Sequence, residues 1–443
     1  MLVMMGTLMG TLISTSISPA LAADAPAPVK PQKWDVNRPP APARTVQIDT
    51  RTGTWMSVDV SPDGKTLVFD LLGDLYLLPI EGGEAQPLTT SVSWDHQARF
   101  SPDGKRIAYV SDAGGGDNVW VMNVDGSGAR AITQEDYRLL NNPAWHPSGQ
   151  YILARKHYTG TRSAGSGEIW LYHLEGGKGV ALNEKPNWQK DLGEPAISPD
   201  GRYLYYSQDS TPGRTFEYNK DSNKEIFRIY RQDLQDGSSE AFVQGPGGAI
   251  RPVPSPDGRY LAFVRRIRNQ STLFLKDLRT GVERAAWGQL ERDLQEAWSV
   301  YGVYPGFAWT PDSKNIVVWA QGKLWRVDPF KGQAQDIPFH VRHTREVRDA
   351  LRVPQIVAPD TFPVRQLRWA QVSPDGSKVV YSALGHLYIK DLQAQGDAAE
   401  PRRLTRQNDE FEFFPSFSRD GKRLVYVGWN DEKLGHIRIL DLR

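Results

Sequence analysis

Few residues in this 443-residue chain stand at spacings that support chemistry. His340-Val341-Arg342-His343 comes nearest to a metal-ligand pair, since a spacing of three could bring both rings to one side of a turn. Arg342, Arg345 and Arg348 would oppose a cation there, so a solvated basic loop is the expectation. Ser163 and Ser166, within Gly160-Thr161-Arg162-Ser163-Ala164-Gly165-Ser166-Gly167, miss the Gly-x-Ser-x-Gly spacing of a nucleophile elbow. Gly114-Gly115-Gly116 lacks the Lys-Ser/Thr and helix of a phosphate loop and reads as a hairpin turn. The absence of Cys excludes a thiolate metal site. What remains is a mixed polar and aromatic set, Arg155, Lys156, His157, Arg162, Glu217 and Tyr218, lying in segments that exceed the shortest repeat unit. Such residues could line a pore mouth or a binding loop, although the same composition is ordinary for a solvated rim. No catalytic set and no metal set is assigned.

Loops of this kind need a scaffold, and the scaffold is legible. A variant of Ser-Pro-Asp-Gly recurs eight times, starting at Ser61, Ser101, His146, Ser198, Ser255, Thr310, Ser373 and Ser418. The intervals are 40, 45, 52, 57, 55, 63 and 45 residues, close to the roughly 40–50 of one four-stranded propeller blade. Pro presets φ, Asp suits the next position and Gly closes the turn in the left-handed region, so each motif should join a blade's first and second strands. Ser313, where Gly is missing, would occupy that left-handed position. The second strand is apolar at successive positions, as in Leu67-Val68-Phe69 and Ile152-Leu153-Ala154, which predicts burial on both faces. Third strands such as Val119-Trp120-Val121-Met122 and short outer strands such as Ala131-Ile132-Thr133 complete the unit. Trp145 and Trp309 read as blade core, and Pro143, Pro195, Pro252 and Pro415 as the first residues of innermost strands. The expected fold is all-β, a propeller of about eight four-stranded blades or the first part of a longer array.

Composition agrees with this reading: 40 Gly and 31 Pro mark many turns. With 53 basic against 52 acidic residues and no dense basic run, an electrostatic footprint for nucleic acid is missing. Residues 1–22 read as an export signal, with an apolar stretch from Leu2 to Ile13 and Ala20-Leu21-Ala22 as a small-x-small cleavage site. The stretch is too short to span a membrane, and a periplasmic or secreted location is expected. Residues 23–44 hold six Pro and read as a linker, leaving 45–443 for the propeller. The last unit ends after its third strand, Ile437 to Arg443, so Thr45 to Thr50 could supply the missing outer strand and latch an eight-bladed ring.

The repeats resemble TolB-like and tricorn-like periplasmic propellers. Longer strings resemble more closely the N-terminal propeller of secreted, metal-dependent amidohydrolases. These are Thr52-Gly53-Thr54-Trp55-Met56-Ser57, Arg138-Leu139-Leu140-Asn141-Asn142-Pro143-Ala144-Trp145, Thr215-Phe216-Glu217-Tyr218-Asn219-Lys220-Asp221 and Leu367-Arg368-Trp369-Ala370-Gln371-Val372-Ser373-Pro374. That resemblance implies a propeller that gates or docks a downstream barrel. The barrel would hydrolyse amide-type C–N bonds with a divalent metal such as zinc, and no cofactor would sit in this segment. Two alternatives stand beside it: a free-standing TolB-like propeller that binds envelope proteins, and the gating propeller of a serine peptidase. About twenty linker residues leave no room for the small α/β domain that TolB carries ahead of its repeats.

Overall fold

The computed structural model describes residues 35–443 except 37, 160–164, 218, 350–352, 354 and 443. The residues read as an export signal, and all of the linker before Asp35, lie outside the described residues. Seven four-stranded antiparallel sheets and one three-stranded sheet follow one another along the chain, each built from consecutive strands except the first, where the short strand Gly83–Glu84 leaves to join Phe339–Arg348 and Ala43–Thr50 in a further three-stranded sheet. These eight units begin at Val58, Asp95, Leu140, Leu192, Ile250, Ala308, Arg368 and Phe411. Strand dominates throughout, as the turn count and the alternation require.

Each unit is organised by its motif. At Ser61 the hydroxyl donates to Asp63 Oδ1 at 2.6 Å and accepts from Thr66 N at 2.9 Å, while Gly64 N donates to Ser61 O at 2.8 Å. Gly64 takes φ +73°, and Ser313 takes +59° in the unit that lacks Gly. Hydrogen bonds from the Ser61 hydroxyl and the Lys65 backbone hold the Asp63 carboxyl below its ordinary range. The polar residues of the motif therefore close the turn on themselves and are not free for a ligand.

The second strands pack as their apolar runs demand. Leu67 and Phe69 join a core shared with the sixth unit, whereas Val68 between them joins a core shared with the second. Ile152 and Ala154 face the second unit, and Leu153 faces the fourth. Following such shared cores leads from unit 1 to 2, 3, 4 and 5, and one large cluster then links 5, 6 and back to 1. Backbone bonds seal the same joint: Val58 N donates to Gly306 O at 2.9 Å and Gly53 N to Gly322 O at 3.0 Å. The Trp319 indole donates to Gly53 O at 2.8 Å.

Six units thus close into a ring, and units 7 and 8 share a separate core of Val380, Leu387, Leu424 and Tyr426. This corrects the expected eight-bladed closure. The strand Ala43–Thr50 does not complete unit 8; it pairs antiparallel with Phe339–Arg348, from Ala43 opposite Arg348 to Thr50 opposite Val341. The physical reason is that unit 6 already offers unit 1 a buried face, so no borrowed outer strand is needed for closure.

Leu153 is fully buried, whereas Val425, at the same place in unit 8, is 38% exposed. Leu153→Ala should therefore cost about 2–5 kcal/mol by leaving a cavity between two blades. Val425→Ala should cost under about 1 kcal/mol. Calorimetry of the two variants checks this, and equal losses would contradict a ring that closes at six.

Candidate functional site

The site is built from one residue per blade, four positions before each motif. Gln97, Asn142, Glu194 and Arg251 stand there with φ of +57°, +53°, +56° and +53°. Each lies at a break in the register between first and second strands. Such a bulge turns the side chain out of the ladder and aims it at the axis. Pro143, Pro195 and Pro252 follow directly, inside the strands that start at Leu140, Leu192 and Ile250 rather than at their first residues. A bulged position leaves the ladder unpaired, so the missing Pro N–H costs nothing there. Ser57 and Gly306 hold the equivalent places in units 1 and 6 and complete the circle.

A cavity of about 440 Å³ runs down the axis from the face that carries the motif turns. Motif prolines such as Pro62 and Pro102 form its rim, and Val60, Phe100, Ile197 and Val253 its apolar wall. Trp145 and Trp309 reach the wall but are buried, and their indole N–H groups donate to Arg99 O at 3.0 Å and Val253 O at 3.1 Å of neighbouring blades. They act as blade ties, in keeping with their assignment to the core.

At its far end the channel is closed by residues 300–307 of the segment between units 5 and 6. The circle of axial side chains holds this plug by its backbone. Gln97 Nε2 donates to Tyr301 O at 2.6 Å, and Arg251 Nε donates to Tyr304 O at 2.8 Å. Glu194 Oε1 accepts from Val303 N at 2.7 Å, and Ser57 Oγ accepts from Gly306 N at 3.1 Å. Arg251 and Glu194 pair at 3.2 Å with side chains 7% and 2% exposed, and burial pulls the Arg251 guanidinium down to about 10. Gly302, at φ +111°, passes so close that a Cβ would lie 2.3 Å from Arg251 Nη2. The axial side chains thus meet the plug through its main-chain N–H and C=O groups rather than its side chains, although the segment itself turns at Val300 and Tyr301.

The residues singled out from sequence fall mostly behind this plug. Arg155 is buried in the second strand of unit 3; its guanidinium donates to Leu192 O at 2.8 Å, Val300 O at 3.1 Å and Asp191 Oδ1 at 2.5 Å. His157 lies 3.2 Å from Arg155 Nη2 through Nδ1 and packs against Trp298 with ring centres 5.5 Å apart. Both therefore fasten the plug segment from beneath. Glu217 is half-buried in the loop after the second strand of unit 4, and Arg162 and Tyr218 lie outside the described residues. His340 and His343 sit three apart on one strand, so they face opposite sides and not one side of a turn. His340 is bound by Glu84 at 2.8 Å and Asp49 at 2.7 Å. Among the described residues no three His, Asp or Glu side chains gather in a way that could hold a metal ion.

Sequence reasoning missed the axial circle because Gln, Asn, Glu and Arg share no chemistry to search for. Their common signal was positional: each stands four residues before a motif.

Comparison with known proteins adds to this geometry. Residues 55–228 match the family model described as the Tricorn protease N-terminal beta propeller domain. The chain is 24% identical over 240 residues to a tricorn-like protease C-terminal subunit of Sulfurisphaera tokodaii, covering 51% of this chain and 27% of the relative. It is 25% identical over 316 residues to tricorn protease homolog 1 of Streptomyces coelicolor, covering 71% of this chain and 26% of the relative. The chain thus spans about a quarter of the length of these curated relatives. Among solved structures, TolB from Acinetobacter baumannii is similar, with a TM-score of 0.48 and 16% identity over 66% of this chain and 64% of that one. The proteases overturn the expectation of an amidohydrolase parent. Of the four strings that suggested it, Arg138 to Trp145 and Leu367 to Pro374 run along the first strands of units 3 and 7, and Thr52 to Ser57 and Thr215 to Asp221 lie between strands.

Arg251→Met should strand the Glu194 carboxylate in a buried site and cost about 3–5 kcal/mol, measured by urea denaturation. A loss under about 1 kcal/mol would contradict the pairing. Burial and the adjacent Arg155 hold the His157 imidazole down to about 3, so it should stay neutral from pH 8 to pH 5. Protonation of the unfolded chain near pH 6.5 then makes this residue destabilising as pH falls below that value. A flat imidazole signal in an NMR titration is expected; a midpoint near 6.5 would contradict it.

Proposed function

We propose that this chain is the propeller portion of a tricorn-like peptidase and serves to admit and orient extended peptides, with the bond-cleaving groups on a partner domain or subunit. This is the gating-propeller reading, and it takes the place of the amidohydrolase reading. The observation that carries it is the plug: four axial residues, Ser57, Gln97, Glu194 and Arg251, already hold a main-chain segment by its own N–H and C=O groups, and an open, partly apolar cavity leads to the same circle. Segments 300–307 and an incoming peptide share that chemistry, so one can stand in for the other. The match of residues 55–228 to a tricorn propeller model and the protease relatives support the peptidase context. The apolar N-terminal stretch with Ala20-Leu21-Ala22 supports export, to the periplasm or beyond.

Placing the photo-crosslinker p-benzoylphenylalanine at Val253, on the cavity wall, tests the reading. It should capture unstructured peptides of five to ten residues several-fold more than the same group at exposed Lys178, and the purified chain should release no product from them. Equal capture at both positions, or hydrolysis that survives purification to homogeneity, would overturn it.

A further inference from the structure

A second cavity, of about 480 Å³, opens on the face opposite the motif turns, between units 1 and 2 and the plug. Its walls are aromatic. Trp94 is 55% exposed and Tyr301 43% exposed, and Trp55 stands at the border. Trp94 is fixed in place: its backbone N donates to Asp112 Oδ1 at 2.8 Å, and its ring lies over Gly73, where a Cβ would come within 2.6 Å of it. Gly73, at φ +79°, is thus the residue that lets one face of the indole pack while the other faces the cavity.

The charged groups of this cavity are all carboxylates. Asp112 and Asp117 border it, and Asp70 lies beneath with its oxygens bound by Ser57 N at 2.9 Å and Gln97 N at 2.7 Å. Asp117 accepts from the Tyr301 hydroxyl at 2.7 Å. No Lys or Arg is among the lining residues. Arg345 binds Leu72 O at the edge and is paired with Asp74 at 2.8 Å. His96 supplies an independent observation. It is 8% exposed, borders the cavity and meets Tyr301 edge to face at 5.1 Å, and its imidazole has no hydrogen-bond partner. Burial pulls that imidazole down to about 4, so it is neutral and offers one acceptor nitrogen.

Two bordering carboxylates, an imidazole with an acceptor nitrogen and an exposed indole face together suit a planar cation rich in donors. We propose that this cavity binds the guanidinium of an arginine side chain, stacked on Trp94 and bonded to Asp112, Asp117 and His96. Guanidinium carries five N–H donors and no acceptor, and it stacks on aromatic faces. The site lies on a different face from the axial cavity and stands whether or not the chain serves a peptidase.

Titration of the chain with acetyl-arginine-amide and with its uncharged isostere acetyl-citrulline-amide, followed by NMR of the His96 imidazole and Trp94 indole signals, tests the proposal. The arginine compound should shift both signals and bind at least about tenfold tighter than citrulline. Asp112→Asn and Asp117→Asn, each with an unchanged melting temperature, should each weaken arginine binding severalfold, and raised salt should weaken it as well. Equal binding of the two compounds, or shifts that avoid His96 and Trp94, would overturn the proposal. So would arginine binding that is undiminished in both folded variants.

Discussion

Everything in this molecule depends on one constraint: the second strand of every blade is apolar on both of its faces. A sheet with two apolar faces is stable only between two others. Val68 and Leu153 show the requirement at its simplest, each fully buried against a blade other than the one its neighbours touch. Six such sheets satisfy one another by closing the circle, and the joint between the first and sixth merges into the largest core. Units 7 and 8 obey the same rule toward each other, and their outward positions, Val425, Ile437 and Ile439 among them, stay exposed.

Closure creates an axis, and the axis creates a second problem. Bulged residues with left-handed backbones point polar side chains into a narrow, largely desolvated space, where an unpaired charge or amide is costly. The segment between units 5 and 6 answers it by offering main-chain donors and acceptors to Gln97, Glu194 and Arg251. Arg155 joins from the next strand outward through Val300 O. The bonds that satisfy the axial side chains are therefore bonds to main-chain groups of the chain itself. The plug also brings Tyr301 to the opposite face, where it becomes a wall of the acidic, aromatic cavity.

The polar chemistry was far less legible in sequence than the architecture. Residue type and a long segment single out Arg155 and His157, yet their roles come from what crosses the axis, with Val300 lying 145 residues from Arg155 in sequence. The axial circle escaped notice because its members differ from blade to blade. Spacing alone pairs His340 with His343, and the strand that contains them separates their rings. In each case the deciding information was which backbone conformation the residue adopts, and composition does not contain that.

By itself the sequence determined the repeating unit: a self-bonded turn at each Ser-Pro-Asp-Gly, a second strand apolar on both faces, and all-β sheets built from strands close together in the chain. Those are local consequences of φ preference and period-two patterning, so they can be read one repeat at a time. The tertiary structure alone decided that six units close while two stand apart, that Ala43–Thr50 pairs with Phe339–Arg348, and that the channel is closed by the chain's own residues. Those outcomes depend on which buried face meets which across hundreds of residues. A repeat that is nearly the same in every unit cannot encode that choice.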